Sequence, residues 1–260
     1  VTTWNTPSAF CQPASFARQM GLAELWRSGG VRPAAIVGHS VGEYAAACLA
    51  GILSLEQGSE VIVHRGRCMQ DFAPSGGGML AVGLSGDEAM AVIARHDRNI
   101  TIAAFNAPRS VTLSGLRTSL EAVAAELEAK EVFARFLQTS LPFHPALIQP
   151  PTDALREALD GLSPRAESLP FFSSVTGERI AGTSCDAAHW AAGVREPVEF
   201  SKAIAALAEF GADAWPEIGA PPALTRYLHD CLADTGGTGN PLAPALPERR
   251  ARPVRDAPPD

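Results

Sequence analysis

Hydrophobic positions along the chain alternate between helical and extended spacing, and this alternation predicts a mixed architecture. Apolar residues at helical intervals predict helices over residues 13–26, 43–49, 55–72, 86–96, 118–130, 150–162 and 197–210, with another starting near Cys185. Short apolar runs predict strands over residues 34–37, 79–84, 100–105, 110–113, 132–137, 169–174 and 213–218. Alternating strands and helices favour an α/β fold with a mostly parallel sheet.

The middle of the chain has its own order of elements. Between residues 75 and 138 the predicted order is strand, helix, strand, strand, helix, strand, the βαββαβ pattern of ferredoxin-like units. We therefore expect a ferredoxin-like small subdomain over residues 75–138, inserted into a large subdomain formed by residues 1–74 and 139–234. Residues 235–260 are rich in Gly, Pro and Arg and are predicted to be a C-terminal linker.

Composition narrows the class of protein. The 260 residues are 46% hydrophobic and 19% charged, which is typical of a globular protein with a sizeable core. The net charge of −7 argues against a broad binding surface for nucleic acid or anionic lipid, and no long apolar run predicts a membrane span. Five widely spaced cysteines without a CxxC pair predict neither a disulfide framework nor a zinc site. Free thiols fit a reducing compartment, so a cytoplasmic location is the simplest expectation.

One motif has the context that nucleophilic catalysis requires. Residues 38–42, Gly-His-Ser-Val-Gly, match G-x-S-x-G between a predicted strand and a predicted helix, as in a nucleophile elbow. Such a corner holds the Ser40 hydroxyl toward a ligand, and both flanking glycines are expected because side chains there would collide with neighbouring backbone. The backbone N–H of Val41, at the start of the helix, is a candidate oxyanion donor.

A serine nucleophile needs a general base, and six histidines are available. His39 adjoins Ser40 and is expected to point away from it in a structural role. His96 and His229 are expected to be solvated. His144 follows the predicted small subdomain, where a loop would border the cleft between the two subdomains. Its position favours it as the base, although a plain loop histidine fits the same pattern.

Arg65, on the predicted helix 55–72, is a candidate binding residue. Its neighbours on that helix are apolar, which is typical of an arginine that extends along an apolar face to reach solvent. The alternative is a guanidinium fork that binds a substrate carboxylate in a bidentate manner. Both interpretations fit the spacing.

These segments together resemble the acyltransferase domains of modular polyketide synthases, relatives of the malonyl-CoA:ACP transacylases. Residues 38–43, Gly-His-Ser-Val-Gly-Glu, are similar to the GHSxGE elbow of that family. Further similar blocks occur in the family's order at residues 12–17, 23–28, 65–70, 106–115, 175–177, 195–198 and 219–225. The resemblance covers about residues 10–250 and implies an α/β-hydrolase-like large subdomain with an inserted ferredoxin-like one.

The resemblance also implies a role for each candidate residue. Ser40 is implied to take an acyl group from acyl-CoA, and His144 to activate it and later deprotonate the acceptor thiol. Arg65 is implied to bind the free carboxylate of the extender unit, and the backbone carbonyl of Gly193 to support the histidine. No permanently bound cofactor and no metal are implied. The implied partners are malonyl-CoA or a related extender-CoA, the phosphopantetheine thiol of an acyl carrier protein, and neighbouring synthase domains.

Two positions favour malonyl as the extender unit. Val41 after the elbow serine and Phe143 before the implied base resemble the malonyl-selective members, whereas Leu141 fits neither specificity motif. Phe143 would fill the space that an α-methyl group needs, although one methyl in an apolar pocket is worth only about 1–3 kcal/mol. We therefore expect malonyl over methylmalonyl, with an unusual extender unit left open.

The start of the chain departs from the family's pattern. Members open with a strand and a glycine-glutamine-rich loop that gives the second oxyanion donor, and no such segment precedes Val1. The sequence is therefore expected to be a shortened piece that lacks its first strand, or else to have impaired activity, since one such donor contributes a factor of about 10²–10³ in rate. Two other functions stay open: a serine esterase or thioesterase, which would need a triad acid, and an inactive remnant within a synthase.

Overall fold

Helices and strands alternate along most of the chain in a computed structural model, which describes residues 7–72, 76–96, 99–137, 149–219, 222–235 and 240–242. The helices are α1 Ser8–Ser28, α2 Gly42–Leu49, α3 Leu55–Phe72, α4 Gly86–Arg95, α5 Arg117–Ala129, α6 Gln149–Ala158, α7 Ala187–Arg195, α8 Phe200–Glu209 and α9 Thr225–Asp234. The strands are β1 Ile36–Val37, β2 Gly77–Val82, β3 Thr101–Ala107, β4 Ser110–Leu116, β5 Ala134–Phe136, β6 Phe171–Ser173, β7 Glu178–Ile180, β8 Ala214–Pro216 and β9 Asn240–Leu242. This mixture confirms the predicted α/β class.

Strands β2 to β5 form an antiparallel sheet with the order β3-β4-β2-β5. Together with α4 and α5 the chain order is βαββαβ, as the hydrophobic pattern predicts. Apolar side chains of both helices and of the sheet share one core. On the opposite side, β3 contributes Ala104 and Ala107 to a second core with α8 and α9, and this contact fixes the sheet to the rest of the molecule.

A second sheet supports the corner that contains the serine motif. Strand β1 pairs in parallel with β6, and β7 pairs antiparallel with β6. Helices α1, α2, α3, α6 and α7 surround this sheet with the largest apolar core. The predicted mostly parallel sheet is therefore partly wrong. Gly177, with a φ of 74°, makes a tight turn after β6, so the chain returns antiparallel as β7 instead of crossing over.

Strands β8 and β9 form a separate parallel pair. Residues 240–242, which form β9, fall within the predicted linker 235–260, so that prediction is wrong for these three residues. The prediction failed because it rested on local Gly and Pro content. Backbone pairing with β8, more than twenty residues earlier, orders the segment instead.

Helix α1 begins five residues before its predicted start at Pro13. Proline lacks the N–H that a residue inside a helix donates, so it usually marks a first turn. Here packing against α3 outweighs that preference. A Cβ at Gly66 would lie 2.8 Å from the Ser8 oxygen, so only glycine lets the two helices approach this closely.

Neither a membrane-spanning helix nor a metal-binding cluster occurs among the described residues. None of the helices within them is both long and apolar enough to span a membrane. The same residues hold no group of three His, Cys, Asp or Glu side chains that could bind a metal ion. All five cysteines are unpaired thiols.

Candidate active site

The serine motif forms a sharp corner between β1 and α2. Ser40 has a φ of 49°, the left-handed conformation that a nucleophile elbow imposes on its serine. A Cβ at Gly38 would lie 2.5 Å from the Glu43 nitrogen and closer still to its Cα, so glycine is obligatory there. A Cβ at Gly42 would meet only the Gln19 side chain, at 3.5 Å. The prediction that both glycines are needed for backbone clearance is therefore wrong for the second one.

Helix α2 starts two residues after the serine. The Gly42 N–H donates to the His39 carbonyl at 2.9 Å, and the Glu43 N–H donates to the Ser40 carbonyl at 3.0 Å. Val41 is the N-cap residue and packs against the main core. The positive end of the helix dipole therefore lies at the serine, where it favours a developing negative charge.

Arg65 lies next to the serine hydroxyl and is only 2% exposed. Its Nη2 donates to Ser40 Oγ at 3.4 Å, and its Nη1 donates to Gln12 Oε1 at 2.5 Å. The guanidinium also lies 5.5 Å from the centre of the Tyr44 ring. This burial rules out the interpretation of Arg65 as a side chain that reaches solvent. A buried cation beside a hydroxyl can instead bind an anionic group close to it.

A cleft opens at the serine. Its lining includes Ser40, Tyr44, Val175, Trp190, Gly193 and Val198. Apolar side chains therefore form part of the surface next to the serine.

Gly193 lines this cleft from the last turn of α7. Within a helix its carbonyl would accept from the N–H four residues later, but that residue is Pro197, which has no N–H. The carbonyl of Gly193 therefore retains the capacity to accept a hydrogen bond from another group. This is the feature that the predicted support of a histidine requires.

A buried carboxylate lies three residues after the serine, and the sequence analysis missed its role. Glu43 Oε1 accepts from Ser173 Oγ at 2.6 Å and from His189 Nε2 at 3.1 Å. Glu43 Oε2 accepts from the N–H and the hydroxyl of Ser174 at 2.9 and 2.5 Å. An acidic residue in the first turn of a short, otherwise apolar helix is a signal for such a cluster. Its partners are 130 to 146 residues away, so local sequence patterns cannot identify them.

His39 points away from the serine, as predicted for a structural residue. Its Nε2 bonds to Asn106 Oδ1 at 2.8 Å, and the Asn106 amide donates to Thr112 Oγ1 at 2.9 Å. Burial lowers the pKa of His39, so its ring is neutral at pH 7. His96 was predicted to be solvated; it ends α4, and its ring contacts Glu126 at 2.5 Å.

Three predicted residues, Leu141, Phe143 and His144, lie outside the described residues. Their roles in selectivity and as the general base stay predictions. Of the remaining candidates, the structure brings Ser40 and Arg65 into direct contact and places Gly193 on the same cleft.

A strained serine at a strand-to-helix corner of an α/β fold places the chain among proteins that carry a nucleophile elbow. Comparison with protein families then narrows this class. The family model described as the acyl transferase domain matches residues 6–252. The chain therefore belongs to the acyl transferase domain family, which confirms the resemblance found in the sequence.

Two curated relatives show the context in which such domains occur. Polyketide synthase GfsB of Streptomyces halstedii is 40% identical over 228 residues, which is 87% of this chain and 4% of that protein. Erythronolide synthase EryA2 of Saccharopolyspora erythraea is 36% identical over 242 residues, which is 93% of this chain and 7% of that protein. The chain thus spans only a small part of the length of the curated relatives it matches.

Solved structures agree with this assignment. The acyltransferase domain from module 8 of the salinomycin polyketide synthase superposes with a TM-score of 0.87 at 34% identity, covering 90% of this chain and 55% of that one. Malonyl CoA-acyl carrier protein transacylase from Clostridium perfringens superposes with a TM-score of 0.83 at 26% identity, covering 92% of this chain and 76% of that one. Both are similar to this chain over most of its length.

Proposed function

We propose that this chain loads an extender unit, malonyl, from its coenzyme A thioester onto the phosphopantetheine thiol of an acyl carrier protein during polyketide synthesis. The observation that carries the proposal is the buried guanidinium of Arg65, 3.4 Å from Ser40 Oγ. A hydrolase of neutral esters gains nothing from a buried cation at this place. An enzyme that must recognise an acyl group with a free carboxylate needs one.

In the first half-reaction, Ser40 Oγ attacks the thioester carbonyl while His144 takes the hydroxyl proton. The oxygen of the tetrahedral intermediate accepts from the N–H of Val41 at the start of α2. The C–S bond then breaks, and the coenzyme A thiolate leaves with the proton from His144. The product is a malonyl ester on Ser40.

In the second half-reaction, the thiol of the carrier protein gives its proton to His144 and attacks the ester carbonyl. The C–O bond to Ser40 breaks, and the proton returns to Oγ. The carbonyl of Gly193 supports the imidazole that is positively charged between these steps. The reaction needs no permanently bound cofactor and no metal.

Arg65 selects acyl groups with a free carboxylate. Gln12 holds Nη1 and the ring of Tyr44 lies under the guanidinium, so the orientation of the fork is fixed before substrate binds. A carboxylate that pairs with the fork places the thioester carbonyl at Ser40. An acetyl group lacks this anchor and is bound less well.

Val41, Leu141 and Phe143 tune the choice among extender units, with Phe143 disfavouring an α-methyl group. The relatives named above are polyketide synthases, and one structural neighbour is a malonyl CoA-acyl carrier protein transacylase, which supports these partners. We further propose that neighbouring synthase domains flank this one and that it works in the cytoplasm.

The fate of labelled malonyl-CoA tests the proposal. Protein incubated with malonyl-CoA labelled in the acyl group should acquire label, and added carrier protein should then take that label on its phosphopantetheine thiol. Label that passes to water instead would identify a hydrolase. No label on the protein would identify an inactive remnant. Either of these results contradicts the proposal.

A further inference from the structure

The Glu43 carboxylate and the His189 imidazole form a buried pair beside the cleft. Their side chains are 2% and 7% exposed, and Nε2 lies 3.1 Å from Oε1. Nε2 is assigned as the donor in this contact, because a carboxylate oxygen accepts hydrogen bonds. A buried polar group costs stability unless hydrogen bonds satisfy it, and both Glu43 oxygens have such partners.

The donors to Glu43 come from two different elements. Ser173 and Ser174 lie at the end of β6 and directly after it, and His189 lies in α7. Glu43 itself lies in the first turn of α2, three residues after Ser40. The Glu43 carboxylate therefore connects the first turn of α2 to the end of β6 and to α7, which both lie beside the cleft.

Helix α7 is the wall that matters for chemistry. It carries His189 and, four residues later, Gly193, so the two residues lie on the same side of the helix one turn apart. The contact between Glu43 and His189 therefore lies one helical turn from Gly193 and is one of the contacts that fix α7 next to α2.

A series of aromatic contacts connects His189 to Arg65. The His189 ring meets the Trp190 ring edge-on at 5.0 Å, Trp190 stacks on Tyr44 at 4.7 Å, and Tyr44 lies under the Arg65 guanidinium. One buried pair is therefore linked by contacts to the serine, to the wall that bears Gly193 and to the arginine.

We propose that Glu43 and His189 are positioning residues, which hold the elbow serine and the α7 wall at the separation that acyl transfer needs. This inference rests on the proposed function in one respect, namely that Ser40 is the nucleophile. A misplacement of about 1 Å at a reacting group can lower the rate about 100-fold. A purely structural role, in contrast, would change stability and leave the reactivity of folded protein unchanged.

Three variants separate these roles. His189→Phe keeps a ring and removes the N–H donor. His189→Gln keeps a donor at about the position of Nε2 and removes the ring. Val123→Ala removes apolar contacts in the core of the βαββαβ unit, and serves as a destabilised control remote from the cleft. Each is assayed at a temperature at which its folded state is fully populated.

The reactivity of Ser40 is measured with two probes in the full chain. A fluorophosphonate reports activation of the serine hydroxyl without regard to the acyl group, and malonyl-CoA reports the proposed substrate. With both probes, we expect His189→Phe to label Ser40 at least about tenfold more slowly than wild type, mainly through the maximal rate of labelling and not through the half-saturating concentration of the probe. We expect His189→Gln to recover to within about threefold, and Val123→Ala to match wild type.

The outcomes are distinct. Equal rates for wild type and His189→Phe, a Gln variant as slow as the Phe variant, or a Val123→Ala variant that slows just as much would each overturn the positioning role. A wild-type protein that takes the phosphonate but no malonyl contradicts the proposed function, while the comparison of variants still decides the role of the pair. A wild-type protein that takes neither probe overturns both.

Discussion

The two glycines that flank the elbow serine differ in what a side chain would meet there. At Gly38 an added Cβ would enter the backbone at Glu43, whereas at Gly42 it would touch only the end of the Gln19 side chain. Main chain cannot move aside as a flexible side chain can. The sequence motif has glycine at both positions, but only at Gly38 does the backbone leave no room for a side chain.

Substituting these glycines by alanine tests this difference. Gly38→Ala should lower the free energy of unfolding by about 1–3 kcal/mol, because the elbow must shift to admit the methyl group. Gly42→Ala, in the first turn of α2, should leave it unchanged or raise it by about 0.5–1 kcal/mol. Urea denaturation of both variants measures the two values. Equal effects of the two substitutions would contradict the steric account.

In the proposed function, Arg65 decides which acyl groups are accepted. Arg65→Ala should lower kcat/KM for malonyl transfer by at least about 100-fold and leave acetyl transfer within about threefold, because only malonyl uses the guanidinium. Arg67→Ala, an exposed arginine on the same helix, is the matched control and should change neither. Steady-state kinetics with both coenzyme A thioesters give these ratios. An equal loss for malonyl and acetyl would refute the role of Arg65.

Among the elements, α4 and α5 are joined by one charged cluster. Glu126 of α5 bonds to Lys130 one turn later and to Arg95 and His96 at the end of α4. These hydrogen bonds, with Lys130 first, lower the pKa of Glu126 from 4.5 to about 2. The cluster therefore links the two helices at the surface while Glu126 is ionised.

This lowered pKa predicts how acid affects the helix pair. Because the pKa is lower in the folded state, the contribution of Glu126 to stability is present above pH 4.5 and is lost as the pH falls toward 2. Glu126→Gln should be less stable than wild type at pH 7, and the difference should shrink to zero by about pH 2. Unfolding curves over this pH range measure it. A difference that stays constant with pH would contradict the prediction.

Element type could be predicted from the sequence where local pattern decides it. The helix at residues 55–72 has the predicted bounds, because its apolar spacing and the break that follows it are local signals. The start of α1, the reversal at β7 and the pairing of β9 could not be predicted in this way. The start of α1 and the pairing of β9 depend on partners that are distant in sequence, Gly66 for α1 and β8 for β9, whereas the reversal at β7 depends on the local tight turn at Gly177.

The same limit applies to the site. Ser40 could be found because the elbow motif, its strand and its helix are contiguous in sequence. The partners of Glu43 and of His39 could not, because 146 residues separate Glu43 from His189 and 67 separate His39 from Asn106. The burial of Arg65, which the sequence left open, also depends on α1 folding against α3.

At the scale of the whole molecule, β3 joins the βαββαβ unit to the wall of the cleft. The Phe105 N–H donates to the Val198 carbonyl at 2.8 Å, and the Val198 N–H donates to the Ala103 carbonyl at 2.9 Å. Next along β3, Asn106 bonds to His39 of the elbow. The position of Val198 in the cleft and of His39 next to Ser40 therefore depends on how this sheet is attached, although Ser40 is not part of the sheet.

Titration of His39 tests this attachment. Burial lowers the pKa of His39 below 6.5, so the folded state keeps a neutral ring that the unfolded state protonates. The stability that depends on neutral His39 is present above about pH 6.5 and is lost as the pH falls below that value. Relative to wild type, His39→Gln, which keeps a neutral donor to Asn106, should show a weaker fall in unfolding free energy between about pH 6.5 and 4.5. Identical pH profiles for the two proteins would contradict this account.

The account as a whole depends on Ser40 being the acylated residue. The protein is treated with malonyl-CoA and digested, and mass spectrometry of the peptides then identifies the modified residue directly. The peptide that contains Ser40 should gain one malonyl group, and Ser40→Ala should gain none at any residue. A malonyl group on a different residue, or equal modification of Ser40→Ala and wild type, would contradict the central claim.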